Sequence, residues 1–223
     1  MFPTWEQGAG SGAMESTYMV KQERAARTRS ALIAAAAEVF SREGYCNASL
    51  VAISGQAGVT NGALHFHFPT KSALAAAVTT AAARRFEGVV AQGERRMGQG
   101  GALQLLIDTS HVLVCRLRED TVLRAGFDLG GDPGSPQGLD EVSGLWQRWV
   151  ESTLERADTA GELLEGVSAE HVAIAVVAGT VGFQVLAKRD PRWASHRVLT
   201  RFWCLLLPRV SAVPAELRGG GSG

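Results

Sequence analysis

The stretch "TNGALHFHFP", Thr60 to Pro69, limits the fold more than any other part of the chain. Pro69 lacks an amide proton and disfavours helical backbone at the residue before it, so a helix that starts after Thr60 must end near His67. Thr60 is a good cap for its start. Just upstream, Ser49 caps a second short helix, Leu50 to Ala57, and Gly58 stops it. Two helices of about two turns each, joined by "AGVT", have the dimensions of a helix-turn-helix, whose second helix enters the DNA major groove.

At about 100° per residue, Asn61, Gly62 and His65 fall within one arc of roughly 100°. Ala63 and Leu64 lie opposite, and Val59 feeds the core just before the helix. The predicted outward face is therefore small and polar. Asn61 has the amide that pairs bidentately with adenine, and Gly62 allows a backbone to approach closely. His65 and His67 are two apart on a helix and project to opposite sides, so they do not share a metal ion. No metal site and no cofactor is expected. Phe68 belongs to the core. Phe66 and His67 keep two readings, packed aromatics or groups that face a ligand.

The rest of the chain reads as helical. "ALIAAAAEVF" and "ALAAAVTTAAARRF" have high helix propensity, and no run alternates apolar and polar residues as a strand would. The first helix is predicted from about Gln22 to Glu43, with Leu32, Ile33, Ala36, Val39 and Phe40 on its apolar face and Gly44 as its stop. Thr70 caps the next helix, with Lys71 in its first turn. Later helices are predicted at 102–118, 120–127, 139–159, 169–187 and 193–207, with a Gly/Pro loop at about 126–140 and Pro208 ending the last helix. Residues 1–20 and the linker-like tail 214–223 are expected to be disordered. The fold class is all-α, with a small helix-turn-helix domain over 21–73 and a larger helical domain over 74–213.

Net charge is zero, but eight Lys/Arg face four Asp/Glu between Lys21 and Val90, against fourteen and sixteen from Ala91 onward. The basic excess thus sits with the helix-turn-helix. Three widely spaced cysteines have no zinc spacing and read as small apolar residues of a reducing cytosol. The N-terminus has no signal-peptide pattern, so a cytoplasmic location is expected. Val172–Ala187, the longest charge-free apolar run at 16 residues, is short for a membrane span and is read as a central buried helix. No H-E-x-x-H, G-x-S-x-G, P-loop or dinucleotide-binding pattern occurs, so no enzyme is expected.

From Thr28 to Val78 the chain resembles, in continuous register, the DNA-binding domain of the TetR family of repressors. The glycine-tyrosine after the first helix, the "AGVT" turn and the final "HF-x-x-K" carry the likeness. The resemblance implies that the residues at Thr60, Asn61, Gly62 and Ala63 face the groove. It implies that His65, Phe66, His67 and Lys71, with Thr28 at the start of the first helix, hold phosphates or lie along the backbone. It departs from the family at Asn61, commonly Lys, Arg or Ser, and at His65, commonly Tyr, so the operator does not carry over.

Within the family, "GALHFHF" is most similar to actinobacterial γ-butyrolactone receptors. That likeness implies a homodimer on a palindromic operator, released by a small lipophilic effector such as a γ-butyrolactone or butenolide, and control of secondary metabolism. By register Trp146 matches the subgroup's pocket tryptophan and Thr180 its pocket hydroxyl. A glutamine that helps hold ligand in some members falls near Ala83, which has no amide, and this admits a divergent receptor for antibiotics or biosynthetic intermediates.

The residues themselves leave alternatives. Trp146 and Trp149, three apart, share a helical face that is either core or pocket. Thr180 either bonds back to its own helix or donates to a ligand. Gln184 needs a partner if buried, in a pocket or an interface. Phe183 reads first as packing and second as pocket lining. The final two helices carry the apolar surplus expected of a dimer interface.

Overall fold

A computed structural model describes residues 11–96, 100–132, 134–136 and 141–212. In chain order the helices are α1 (Ser11–Asn47), α2 (Leu50–Gln56), α3 (Asn61–His67), α4 (Lys71–Arg96), α5 (Ala102–Glu119), α6 (Thr121–Gly130), α7 (Glu141–Thr159), α8 (Ala169–Ala187) and α9 (His196–Val210). A 3₁₀ turn, Pro191–Ala194, precedes α9. Among the described residues the all-α expectation holds; their only β feature is an isolated bridge between Leu163 and Ser211.

The N-terminal unit is built by three local signals. Gly44 takes a φ of 77°, which kinks α1 where the sequence predicts its end. Gly58 takes a φ of 66° in the turn between α2 and α3. Caps then fix each start: Ser49 Oγ accepts from the Ala52 amide at 3.1 Å and Thr60 Oγ1 from the Ala63 amide at 3.2 Å. Leu32, Val39, Ile53, Leu64, Phe68 and Leu74 close the core beneath.

The larger unit is organised around α5. Its Leu103, Leu106, Thr109, Leu113 and Leu117 are buried on successive turns, and it contacts α4, α6, α7, α8 and α9. α6 lies across α1 and α4. It sits close because Gly126 has no side chain: a Cβ there would meet that of Ala82 at 2.3 Å. Trp203 of α9 donates to Ser110 of α5 at 2.8 Å.

Three expectations are corrected. Residues 11–20, expected to be disordered, extend α1, because lengthening an existing helix avoids the cost of nucleating one and "AMESTYMVKQERAA" holds good helix formers with no proline. The expectations for residues 1–10 and 214–223 lie outside the described residues. The central buried helix is α5, not α8. One stripe of α8 is buried, Val172, Ala173, Val176, Thr180 and Gln184, while Ile174, Val181 and Val185 are exposed. Its apolar residues run all round the helix, so hydropathy alone misplaces it; α8 is also the one helix among the described residues long and apolar enough to cross a membrane. Finally, Pro208 lies inside α9 rather than ending it. The residues beyond it are tied down by Ala212 donating to the Glu162 carbonyl at 2.8 Å and by the Ser211 amide on Leu207 at 2.9 Å.

Candidate functional site

The short α3 is held from both sides and shows its outer face to solvent. Leu64 is buried, and Ala63 and His67 are half-buried. Thr60, Asn61, Gly62, His65 and Phe66 are exposed, Phe66 to 84%. Four residues apart, Asn61 and His65 lie on one strip and Gly62 and Phe66 on the next. The Phe66 ring meets the His67 ring edge-on at 5.3 Å. An aromatic side chain this exposed, on a helix this short, contributes nothing to the core and is free to meet a partner.

Thr28 is half-buried, and its hydroxyl donates back to the Arg24 carbonyl at 3.0 Å, which leaves the oxygen able to accept. Its neighbour Arg29 lies over the Phe68 ring at 5.1 Å. Lys71 is engaged within the protein. Its Nζ donates to the carbonyls of Tyr45, Cys46 and Ala48 at 2.8, 3.1 and 3.0 Å and stands 4.6 Å over the Tyr45 ring. The first two carbonyls are among those that the end of α1 leaves without helical partners and the third lies just beyond it, so Lys71 closes that end and ties it to α4. All three of its ammonium donors are used in this way.

Next to this clamp, the Tyr45 amide donates to Asp132 Oδ2 at 2.9 Å. Asp132 follows α6, so the junction between α1 and α2 is tied directly to the larger unit.

In the larger unit, α7 brings Trp146, Trp149 and Thr153 to one face by a three- and seven-residue spacing. Trp146 is fully buried, stacked on Trp149 at 5.5 Å and edge-on to Phe86 of α4 at 6.3 Å. Both indole nitrogens are buried without a hydrogen-bond partner, as are the hydroxyls of Thr153 and of Thr109 on α5. A buried donor left unpaired costs about 1–3 kcal/mol, and four of them on two contacting helices are more than packing alone explains.

The residues on α8 diverge from this cluster. Thr180 bonds back to the Val176 carbonyl at 2.9 Å, one of the two readings of its sequence context. Phe183 packs edge-on to Phe202 at 5.5 Å and parallel to Trp193 at 6.5 Å, against α9 and the 3₁₀ turn. Gln184 lines a cavity with residues of α1, α5 and α6, and neither tryptophan of α7 is among its walls. Ala83 is buried. Thr109 and Thr153 escaped the sequence reading; the seven-residue step from Trp146 to Thr153 was the one available signal.

One further pair joins α5 to α9. The rings of His111 and His196 lie 4.1 Å apart at 30°, and burial, then the neighbouring imidazole, lowers the His111 pKa to about 4.

Residues 32–78 match the family described as bacterial regulatory proteins, tetR family. The A-factor receptor protein of Streptomyces griseus is 30% identical over 200 residues, covering 86% of this chain and 67% of that protein. A crystal structure of a gamma-butyrolactone receptor, an ArpA-like protein, is 30% identical with a TM-score of 0.72, covering 85% and 91% of the two chains. CprB from Streptomyces coelicolor, solved in complex with its biological operator sequence, is 29% identical with a TM-score of 0.69 over 85% and 91%.

Proposed function

The chain belongs to the tetR family of bacterial regulatory proteins, and from that premise we propose that it is a cytoplasmic, homodimeric repressor that leaves a palindromic operator when a small lipophilic effector binds. The observation that carries the reading is the exposed face of α3. Asn61 reads a base edge, Thr60, Gly62 and Ala63 lie against the groove, and His65, Phe66 and His67 follow the backbone, with Thr28 at the start of the contact. Lys71 supports this surface from behind by holding α1 to α4.

One such short helix reads too few bases alone, and two-fold symmetry doubles the contacts. The surface for the second copy is the outer stripe of α8, where Ile174, Ala178, Val181 and Val185 recur at helical spacing, with Leu205 of α9 71% exposed. The effector enters beside Trp146 and Trp149, where its oxygens take the unpaired indole donors and the hydroxyls of Thr109 and Thr153. Thr180, bonded to its own helix, and Phe183, packed on α9, stand outside this cluster. α4 carries the change to DNA, because it reaches from Lys71 beside α3 to the Phe86 contact on Trp146. A full reversal of state, from 1:99 to 99:1, takes an effector preference of about 5.5 kcal/mol. The likeness to a gamma-butyrolactone receptor favours a γ-butyrolactone or the related butenolides, and a neighbouring structure described as the basis for control of antibiotic production by bacterial hormones favours genes of secondary metabolism. A second reading, an antibiotic or biosynthetic intermediate as effector, is favoured by Ala83, a buried methyl where some receptors hold ligand with an amide.

The test is binding to a palindrome from the DNA flanking the gene, titrated with salt and with each effector class. Wild type should prefer the palindrome, with a salt slope set by its phosphate contacts. Asn61→Ala should weaken binding by about 1–3 kcal/mol and relax preference at one base position. Binding without sequence preference, or with no response to either effector class, would overturn the corresponding half of the reading.

A further inference from the structure

A cavity of about 730 Å³ lies where α1 meets the larger unit, and charged and polar side chains share its walls with apolar ones. Glu38 and Ser41 come from α1, Arg118 from α5, Asp128 from α6, Gln184 from α8 and Lys188 from its C-terminal end. Four Lys/Arg and two Asp/Glu line it in all, which leaves it cationic.

Its polar groups are incomplete. Gln184 is only 8% exposed and makes no hydrogen bond among the described residues. Asp128 is nine-tenths buried. One of its oxygens takes Lys188 at 2.9 Å, and the other, Oδ2, is buried without a donor. The Ser41 hydroxyl is likewise buried and unpaired. Arg118, at the rim, has no partner for its guanidinium among the described residues. A buried carboxylate oxygen and a buried hydroxyl left open together are costly, so the cavity favours an occupant that supplies both a donor and acceptors.

We propose that this cavity is a second effector site, separate from the tryptophan cluster, and that it binds a small hydroxycarboxylate. The carboxylate meets Arg118, whose planar fork fits it with two parallel hydrogen bonds. The hydroxyl donates to Asp128 Oδ2, and the Gln184 amide and Ser41 hydroxyl complete the shell. A lipophilic effector is the wrong chemistry here, because it would leave each of these groups unpaired. The occupant bridges Ser41, on the helix that leads into the helix-turn-helix, to Gln184, on the helix with the exposed apolar stripe. It therefore acts on the spacing of the two units.

The experiment is isothermal titration of the full chain, without DNA, with citrate as the probe. Tricarballylate, with the same three carboxylates and no hydroxyl, and sodium chloride at equal ionic strength serve as controls. Wild type should bind citrate with a Kd below about 1 mM and tricarballylate at least about fivefold more weakly. Gln184→Leu and Arg118→Ala should each weaken citrate about tenfold or more. Arg118 is exposed, so its variant tests the site even if Gln184→Leu does not fold. Arg95→Ala, an exposed charge elsewhere on α4, should bind as wild type does. The proposal is overturned if citrate gives no more heat than sodium chloride, if the two cavity variants bind normally, or if Arg95→Ala weakens binding as much as they do. Because no DNA is present, its failure leaves the repressor reading standing, and the reverse also holds.

Discussion

The helix ends around α3 and the interior around α7 treat polar groups in opposite ways. Around α3 the special polar side chains find partners within the protein. Ser49, Thr60 and Thr70 cap three helices, and Lys71 spends all its donors on three carbonyls. What stays free there points outward: Asn61, Gly62, His65 and Phe66. Around α7 the unpaired groups point inward: the indole nitrogens of Trp146 and Trp149 and the hydroxyls of Thr109 and Thr153 are buried with donors unused. A surface that meets DNA gains from a frame complete before contact, since ordering costs then do not fall on binding. An interior that meets a small molecule must keep polar valences open, and it loses stability while empty.

This contrast can be broken in four places. The largest effect is expected at Lys71. Lys71→Met should lower unfolding free energy by about 2–3 kcal/mol, read from the urea midpoint, because three carbonyls lose a charged donor. Unchanged stability with a salt slope lower by about one would instead make Lys71 a phosphate contact and remove the frame argument. Next comes Thr60→Val, which deletes a cap and should cost about 1 kcal/mol. The near-isosteric Thr153→Val should do the reverse and stabilise the effector-free protein by up to about 1 kcal/mol, since it removes a buried hydroxyl with no partner. A cost at Thr153 as large as that at Thr60 would erase the distinction.

The smallest effect concerns pH. His111 is held neutral in the folded chain down to about pH 4, against an ordinary value of 6.5. The unfolded chain therefore binds the extra proton between those values, so stability is fully present above about pH 6.5 and falls as the pH drops toward 4. The loss is modest because the ring is only half-buried. His111→Gln should flatten this part of the stability profile; an unchanged profile would assign the acid sensitivity to other groups.

The helix-turn-helix was legible because its signals are local. Gly58, Pro69 and the two capping hydroxyls act within four residues, and the α3 face follows from helical geometry. The α8 bounds were legible for the same reason: Ser168 caps its start and charges follow its end. The role of α8 was not. Periodicity shows that it is apolar all round but cannot say which stripe meets its own chain and which is left open. Gln184 illustrates the point, since the sequence requires a partner for it but does not place it against α1 and α6 rather than beside Trp146.

By itself, then, the sequence determined the helical class, the short helix between Thr60 and Pro69, and the polar strip of Asn61 and His65 that helix presents. Each depends on bonds and steric limits within one or two turns. Tertiary structure alone decided what spans long loops. Glu162 caps α5 by accepting from Ala102 and Leu103 at 2.8 Å, though 60 residues separate them. Asp120 caps α6 while pairing with Arg85 of α4. Lys71 closes an end of α1 that lies 26 residues earlier. Such partners meet only after the helices have packed, and packing selects among side chains that look equally free along the chain.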